Sequence, residues 1–415
     1  MPQAGANADA PPTAPAARAA PLIVLLSIAF GLVFLVRNAT DYLAPFLVAD
    51  LHLGARHIGL LSATFALAWA ASGWLVPALM THTAATRHWL PAAVFMTALS
   101  CFGSWLADGF GALLACRVLA GAAGGPALPL IQGAVARELG TQHRGLHMGL
   151  IQGLGGSLIA AILGPLAVIP MGQQLGWRTT MLLLAAGITV LAIVLRLTLP
   201  PLSGYSAPGA TSDASGSMAI TTERRRNLPL CCAIGGLLVG WLVLNVTFFP
   251  LYLYQVKQLD ADSIGFVMSC FGAGSFAGVL VLPALSDRWS RRATLVIGAG
   301  IGLIAPLALL QMQVLDWRLS ALVFIGSFAG GCFPLFLAVV PSESVAPARI
   351  AASVGLVQAW CEIAGGVIAP ACLGWLGDRV GLQAPIIASL LACPMAAVLA
   401  LLLRDDRTVV HLNRG

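Results

Sequence analysis

Long apolar segments recur along the whole chain, and they restrict its fold more than any other feature. Each is long enough to cross a hydrocarbon core about 30 Å thick, which takes about 20 helical residues. Lipid offers the backbone no hydrogen-bond partner, so such segments cross a membrane as helices. Only 9% of the residues are charged, whereas a soluble domain has about 25%. Twelve spans are predicted, at 21–49, 56–80, 89–107, 110–136, 147–171, 177–198, 228–256, 262–285, 293–314, 319–341, 350–376 and 383–403. The predicted fold class is an all-α polytopic membrane protein with twelve transmembrane helices.

The basic residues predict the orientation of these helices. Of the 22 Lys and Arg residues, fifteen fall in tails and loops on the side of both termini, and five fall on the opposite side. Because Lys and Arg accumulate in cytoplasmic loops, both termini are predicted to be cytoplasmic, in a protein of the bacterial inner membrane. The net charge of +6 is spread over short loops, which argues against a nucleic-acid partner.

One long connection at 199–227 divides the helices six and six. It is rich in Ser, Gly and Ala, a composition typical of a flexible linker. The predicted organisation is a disordered cytoplasmic tail at 1–20, an N-terminal six-helix bundle at 21–198, this cytoplasmic linker, a C-terminal six-helix bundle at 228–403 and a cytoplasmic tail at 404–415.

The two halves resemble each other at an offset of about 206 residues. The matched features are Ile58-Gly59 before Pro77 with Ile264-Gly265 before Pro283, Glu138 and Arg144 with Glu343 and Arg349, and Gly149-Leu-Ile-Gln152 with Gly355-Leu-Val-Gln358. These are four matches in the same order, namely the Ile-Gly pair, the proline, the Glu/Arg pair and the motif ending in Gln, and they indicate two pseudo-symmetric repeats. In membrane proteins built this way, the binding site lies between the repeats near the midplane.

Two further motifs carry a family resemblance. The loop Leu282–Arg292 contains an Asp-Arg followed by a basic pair, and Arg117 precedes a glycine-rich stretch ending at Pro126. Both are similar to signatures of the major facilitator superfamily of membrane transporters. The resemblance implies two six-helix bundles that rock about a central site, so that the protein is a transporter and not an enzyme.

A narrower resemblance is to the anion:cation symporter branch, which moves organic carboxylates. It rests on Arg37-Asn38, Ala44-Pro45, Asp50-Leu51, Ile58–Ala63, Pro341-Ser-Glu343, Gly365-Gly366, Pro370, Gly374 and Gly377-Asp378-Arg379. In that branch the arginine matching Arg37 contacts the substrate carboxylate. The chain departs from the pattern at Val36 and Gly124, where many members have carboxylates linked to proton coupling.

Arg37 is the first candidate for substrate binding, since it lies inside an apolar segment. A guanidinium at that depth costs at least ~2.5 kcal/mol unless it faces a wet cavity or a partner. A substrate carboxylate could match it bidentately. The structural alternative is an ion pair with Asp41, one helical turn later.

The remaining binding candidates are Arg117, Gln152, Asn245 and Gln358. Arg117 would add positive charge to the cavity, or else bond neighbouring backbone within the first bundle. The three amides lie within apolar helices, where bonding between helices is the alternative role. Gln152 and Gln358 occupy matching places in the two repeats.

Proton coupling is assigned to Glu362 first and Asp41 second. Glu362 is the only acid deep in the second half, and burial favours protonation of a carboxylate. The alternatives are a neutral Glu362 bonded to a neighbouring helix, and anion exchange without proton coupling.

Charged residues at the predicted cytoplasmic edge are candidates for a latch between the halves. They are Asp287, Arg288, Arg291, Arg292, Glu343 and Arg349. The alternative is the ordinary excess of basic residues on the cytoplasmic side.

The histidines and cysteines show no zinc or disulfide spacing, so no cofactor or metal is expected. The predicted function is secondary transport of a small mono- or dicarboxylate by a monomer in the lipid bilayer, with a proton or an exchanged anion as the second partner. The competing prediction is proton-driven efflux of drugs or amphipathic metabolites. A membrane receptor would need a larger soluble output domain than the linker provides.

Overall fold

The computed structural model describes residues 16–80, 88–138, 144–198, 227–312, 316–346 and 349–404. These residues form twelve long helical segments, numbered in chain order. They are α1 Ala16–Tyr42, α2 Ala55–Met80, α3 Trp89–Trp105, α4 Phe110–Val135, α5 Leu146–Leu175, α6 Trp177–Thr198, α7 Asn227–Gln255, α8 Ala261–Arg288, α9 Arg291–Gln311, α10 Trp317–Glu343, α11 Ala352–Val380 and α12 Gln383–Leu401.

Ten of these segments are both long enough and apolar enough to cross a membrane. The other two are α2, which has 26 residues, and α3, which has 17. Both lie at predicted spans, but they are not among the ten. The count of twelve crossings therefore stays a prediction. The predicted linker at 199–227 lies outside the described residues except for Asn227, where α7 begins.

Two predicted boundaries near the N-terminus are wrong. The helix α1 begins at Ala16, so residues 16–20 are not a disordered tail, because alanine-rich sequence has the highest helix propensity. The span predicted to continue to 49 is interrupted after Tyr42, and a short separate helix runs over Ala44–Leu51. Pro45 in its first turn has no N–H to continue the hydrogen bonds of α1.

The same three helix pairings occur in both halves. In the first half α1 packs on α5, α2 on α4 and α3 on α6, and in the second half α7 packs on α11, α8 on α10 and α9 on α12. Glycines permit the closest of these approaches: Gly121 of α4 faces the backbone of α2, and Gly274 of α8 faces the backbone of α10. The internal repeat predicted from sequence therefore corresponds to a repeated packing pattern.

The halves meet mainly at one face of the molecule. We call this the outer face, following the predicted orientation; it carries the α1–α2 and α7–α8 connections. There the outer ends of α2 and α11 pack together, as do those of α5 and α8. The Ser269 hydroxyl of α8 donates a hydrogen bond of 2.7 Å to the Ile162 carbonyl of α5, and the rings of Phe46 and Tyr254 lie 5.7 Å apart.

At the opposite, inner face the principal contacts stay within each half. The helical turns over Ile350–Cys361, which include the inner part of α11, pack mainly on α7 and α10 of their own half. The turns over Arg144–Ile151, which include the inner part of α5, pack mainly on α1 and α4. The described residues are therefore arranged with the outer face closed and the inner face open.

A polar cluster at the outer face joins the short helix to α6. Trp177 Nε1 donates a hydrogen bond of 3.0 Å to Asp50 Oδ2, and the Arg178 guanidinium pairs with the same oxygen. The hydrogen bond from Trp177, followed by that from Arg178, lowers the pKa of Asp50. This cluster ties the short segment after α1 to the sixth helix.

Candidate functional site

Arg37 and Glu362 form an ion pair that crosses between the two halves. Arg37 Nη2 of α1 lies 3.4 Å from Glu362 Oε2 of α11. The two side chains are 18% and 12% exposed. Each charge therefore offsets part of the desolvation cost of the other, in a setting where an unpaired charge is costly. Glu362 begins a π-helical segment, Glu362–Ile368, a helix form that often marks functional sites.

Three aromatic rings surround the Arg37 guanidinium. The central carbon of the guanidinium, Cζ, lies 5.6 Å from the ring centre of Phe34, 5.9 Å from that of Phe65 and 5.5 Å from that of Trp69. At such distances the negative faces of aromatic rings attract a cation. The sequence singled out neither Phe34 nor Phe65. Phe34 stands three residues before Arg37, which is the spacing of neighbours on one helix face and could have indicated it.

Arg117 is bonded to backbone, as the structural alternative expected. Its three guanidinium nitrogens donate to the carbonyls of Leu61, Val36 and Arg37 at 3.3, 3.1 and 3.0 Å. The residue is only 3% exposed. In this conformation Arg117 joins α4 to α1 and α2, and it holds the backbone of Arg37 itself.

Asp41 lies deeper toward the outer face than the ion pair does. It is 4% exposed, and its Oδ1 accepts no hydrogen bond from the described residues. Its carboxyl lies beside Thr247 of α7, and the Thr247 hydroxyl donates to that of Ser62 at 3.2 Å. The ion pair of Arg37 in this conformation is therefore formed with Glu362, 325 residues away, and Asp41 belongs to the closed outer contact.

The three predicted amides have different surroundings. Gln358 Nε2 donates to Glu362 Oε1 at 3.5 Å, so it extends the charged pair toward the inner face. Gln152 is exposed and begins another π-helical segment, Gln152–Leu163. Asn245 is completely buried in α7, and neither polar atom of its side chain is hydrogen-bonded to the described residues. Of the three amides, only Gln358 has a hydrogen bond to the Arg37–Glu362 pair.

Residues 26–367 match the model of the Major Facilitator Superfamily. The chain belongs to this superfamily. It is a multi-pass integral membrane transporter of a small molecule, and not an enzyme. Among the described residues, no group of three or more His, Cys, Asp or Glu side chains could hold a metal ion.

Similar proteins within the superfamily have varied functions. The chain is 25% identical to a hexuronate transporter of Bacillus subtilis, over 87% of this chain and 88% of that one. It is 26% identical to a chloramphenicol resistance protein of Streptomyces lividans, over 67% of this chain and 72% of that one. A solved structure of a bacterial homolog of the human lysosomal transporter Spinster, inward-facing, matches with a TM-score of 0.72 and 17% identity over 92% of this chain and 96% of that one. That structural likeness concerns the fold.

The superfamily's signature loop between α8 and α9 forms a charged cluster within the second half. Arg291 donates hydrogen bonds to Asp287 at 2.7 Å, to Ser286 at 2.6 Å and to Glu343 at 3.1 Å. Glu343 thus pairs with Arg291. These bonds join α8, α9 and α10 of one half.

The other predicted latch residues have less defined surroundings. Arg288, Arg292 and Arg349 are exposed. The side chains of Glu138 and Arg144 lie outside those that the structure describes. A latch between the halves therefore stays a prediction for a different conformation.

Proposed function

We propose that this protein carries a small organic anion across the bacterial inner membrane, with the carboxylate of the substrate held by Arg37. The observation that carries the proposal is the Arg37–Glu362 ion pair, which links the two halves at 3.4 Å. We further propose that the protein works as a monomer with both termini in the cytoplasm.

A substrate carboxylate can replace Glu362 as the partner of Arg37. The guanidinium offers two parallel N–H donors, which match a carboxylate better than any single donor does. The single 3.4 Å contact with Glu362 leaves room for a better partner. Binding therefore exchanges one carboxylate for another and keeps the buried charge compensated.

This exchange supplies a route to proton coupling. When the substrate takes Arg37, Glu362 is left as a buried carboxylate without its counter-charge, which is costly. Uptake of one proton on a Glu362 oxygen removes that charge. Asp41 is the second candidate for the proton. In the exchange alternative, a second anion replaces the first and Glu362 keeps its charge.

Proteoliposomes containing purified protein test both roles. A thermal-shift screen with carboxylates first identifies a binder, since a ligand of the native state raises the melting temperature. Arg37→Ala should then abolish uptake of that carboxylate, while Arg318→Ala at the outer face should transport as the wild type does. Normal uptake by Arg37→Ala would show that the site assignment is wrong.

Glu362→Gln separates coupling from binding. We expect this variant to exchange labelled for unlabelled substrate across the membrane but to lose accumulation driven by a pH gradient. Accumulation at the wild-type level would exclude Glu362 as the coupling group, and the same measurement on Asp41→Asn would then test the second candidate.

Efflux is the second candidate function. It is favoured by the similarity to a chloramphenicol resistance protein and by the aromatic rings beside Arg37, which suit amphipathic compounds. Deletion of the gene should then increase sensitivity to such compounds, whereas an uptake carrier would leave the resistance profile unchanged.

A further inference from the structure

Two of the three rings beside Arg37 are placed where a substrate body would lie. Phe34 precedes Arg37 on α1, which runs outward, and Trp69 follows Phe65 on α2, which runs inward. Phe34 therefore lies on the open, inner side of Arg37, and the Trp69 ring lies against it. They are half-buried, whereas Phe65 is 2% exposed. Their centres are 6.3 Å apart and their planes nearly perpendicular, at 80°.

The site has positive charge for one carboxylate only. Arg117 is committed to three backbone carbonyls, which leaves Arg37 as the single guanidinium available. Across from it stands Glu362, which offers no second positive charge. A second carboxylate on the substrate would have no partner there, and unpaired charges in a buried site are strongly disfavoured.

Gly124 of α4 makes room for the Trp69 indole. A Cβ at position 124 would lie 2.5 Å from Cζ3 and 3.0 Å from Cε3 of that ring, and 3.2 Å from Val33 Cγ1. Because carbon atoms do not approach each other so closely, any side chain at this position would displace the indole. The absence of a side chain at 124 therefore permits the Trp69 indole to lie where it does, with its ring centre 5.5 Å from the Arg37 guanidinium.

We propose that Phe34 and Trp69 make this transporter selective for monocarboxylates with a planar aromatic body, and that Gly124 is the positioning residue for Trp69. The inference rests on the proposed function and narrows its substrate class. A flat ring attached to the carboxylate can stack on Trp69 and meet the edge of Phe34 while Arg37 holds the charge. A sugar acid would instead present many hydroxyl groups, to which the Phe34 ring offers no hydrogen bond and the Trp69 indole offers only one N–H donor.

The rings could instead serve only to hold the Arg37 guanidinium. In that case their removal would weaken the binding of every carboxylate by a similar factor. A role in selectivity predicts a change in the ratio between aromatic and small aliphatic acids. The ratio therefore distinguishes the two roles.

Competition assays in proteoliposomes measure this ratio. Acetate, cyclohexanecarboxylate, succinate and glucuronate are each added as competitors for the uptake of labelled benzoate. We expect the wild type to bind benzoate most tightly. Trp69→Leu should reduce the preference for benzoate over acetate about tenfold, as expected for loss of ring stacking worth up to about 1.5 kcal/mol. Trp69→Phe should restore most of this preference for benzoate. Trp317→Leu, which removes an exposed ring near the outer face, should not alter the preference.

Gly124→Ala gives a second test that leaves both rings in the chain. It should lower the same preference, and in a Trp69→Leu background it should have no further effect, because the indole that it would displace is gone. An equal loss for benzoate and acetate in Trp69→Leu would overturn the inference. Tighter binding of succinate or glucuronate than of benzoate by the wild type would also overturn the inference. If that binding still required Arg37, the proposed function would stand. If Arg37→Ala changed the binding of none of these acids, both would fail.

Discussion

The two arginines inside the apolar helices have opposite surroundings. Arg37 has one charged partner at 3.4 Å and rings around it, whereas Arg117 has three backbone carbonyls and is almost fully buried. A guanidinium whose three nitrogens each donate a hydrogen bond to the backbone has less left to offer a ligand. We therefore expect Arg117 to affect substrate binding through the position of Arg37.

Substitution of Arg117 by lysine tests this division. An ammonium group cannot reach three carbonyls on two helices at once, so Arg117→Lys should destabilise the protein by about 2–4 kcal/mol. Thermal melting in detergent would show this as a lower Tm. Substrate affinity should fall less than in Arg37→Lys. Loss of binding at an unchanged Tm would instead mean that Arg117 contacts the substrate.

Arg37 could be found from sequence, but its partner could not. A lone arginine in an apolar segment is visible because its cost in lipid is high. The nearest acid in sequence, Asp41, is one turn away on the same helix, whereas the actual partner is on α11 in the other half. Which of the two acids pairs with Arg37 depends on how the helices pack in the tertiary structure. The periodicity of a single sequence carries no information about which helices meet.

At the scale of the helices, glycines allow the closed outer contact. Gly59 of α2 lies against the Pro370 carbonyl of α11, and Gly272 of α8 lies against the Ala161 carbonyl of α5. The two contacts join equivalent helix pairs of the repeats, α2 with α11 and α8 with α5, one on each side of the site. Backbones can approach this closely only where a Cβ is missing.

A bulky residue at either glycine should hold the outer face open. We expect Gly272→Leu to shift the population toward an outward-open state and to slow transport, because the closed state would then contain a clash. Distances between spin labels at Gln173 and Asp262, measured in a background without reactive cysteines, would report the separation of α5 and α8. Gly187→Leu is the matched control, since nothing lies within 4 Å of a Cβ there. An unchanged distance in Gly272→Leu would contradict this role.

The helices themselves were largely predictable, because hydropathy alone requires them. The π-helical segments that begin at Gln152 and Glu362 were not. They change the hydrogen-bond register within helices whose apolar composition stays uniform, so the hydropathy pattern contains no sign of them. The sequence did indicate that Gln152 and Gln358 are equivalent positions, and a π-helical segment begins at or shortly after each.

At the scale of the whole molecule, the Arg37–Glu362 ion pair links the halves on the open side of the outer contact. Its removal should show a characteristic pattern of stability. Arg37→Met and Glu362→Gln should each lower stability by about 1–2 kcal/mol, since each leaves one charge without a partner in a partly exposed site. The double variant should regain most of that loss.

Thermal melting of the four proteins would measure this coupling. Arg318→Met provides the control, because the Arg318–Asp316 pair, also at 3.4 Å, is exposed and surface pairs contribute little. Additive losses in the double variant would mean that the 3.4 Å contact contributes nothing to the inward-open state.

The one-to-one pairing of Arg37 with Glu362 also has an energetic consequence for the cell. If one proton enters on Glu362 for each monovalent anion on Arg37, the complete cycle moves no net charge. The membrane potential, worth about 2.3 kcal/mol per charge at 100 mV, would then contribute nothing to accumulation. A pH difference of one unit, about 1.4 kcal/mol, would set a limit of about tenfold concentration.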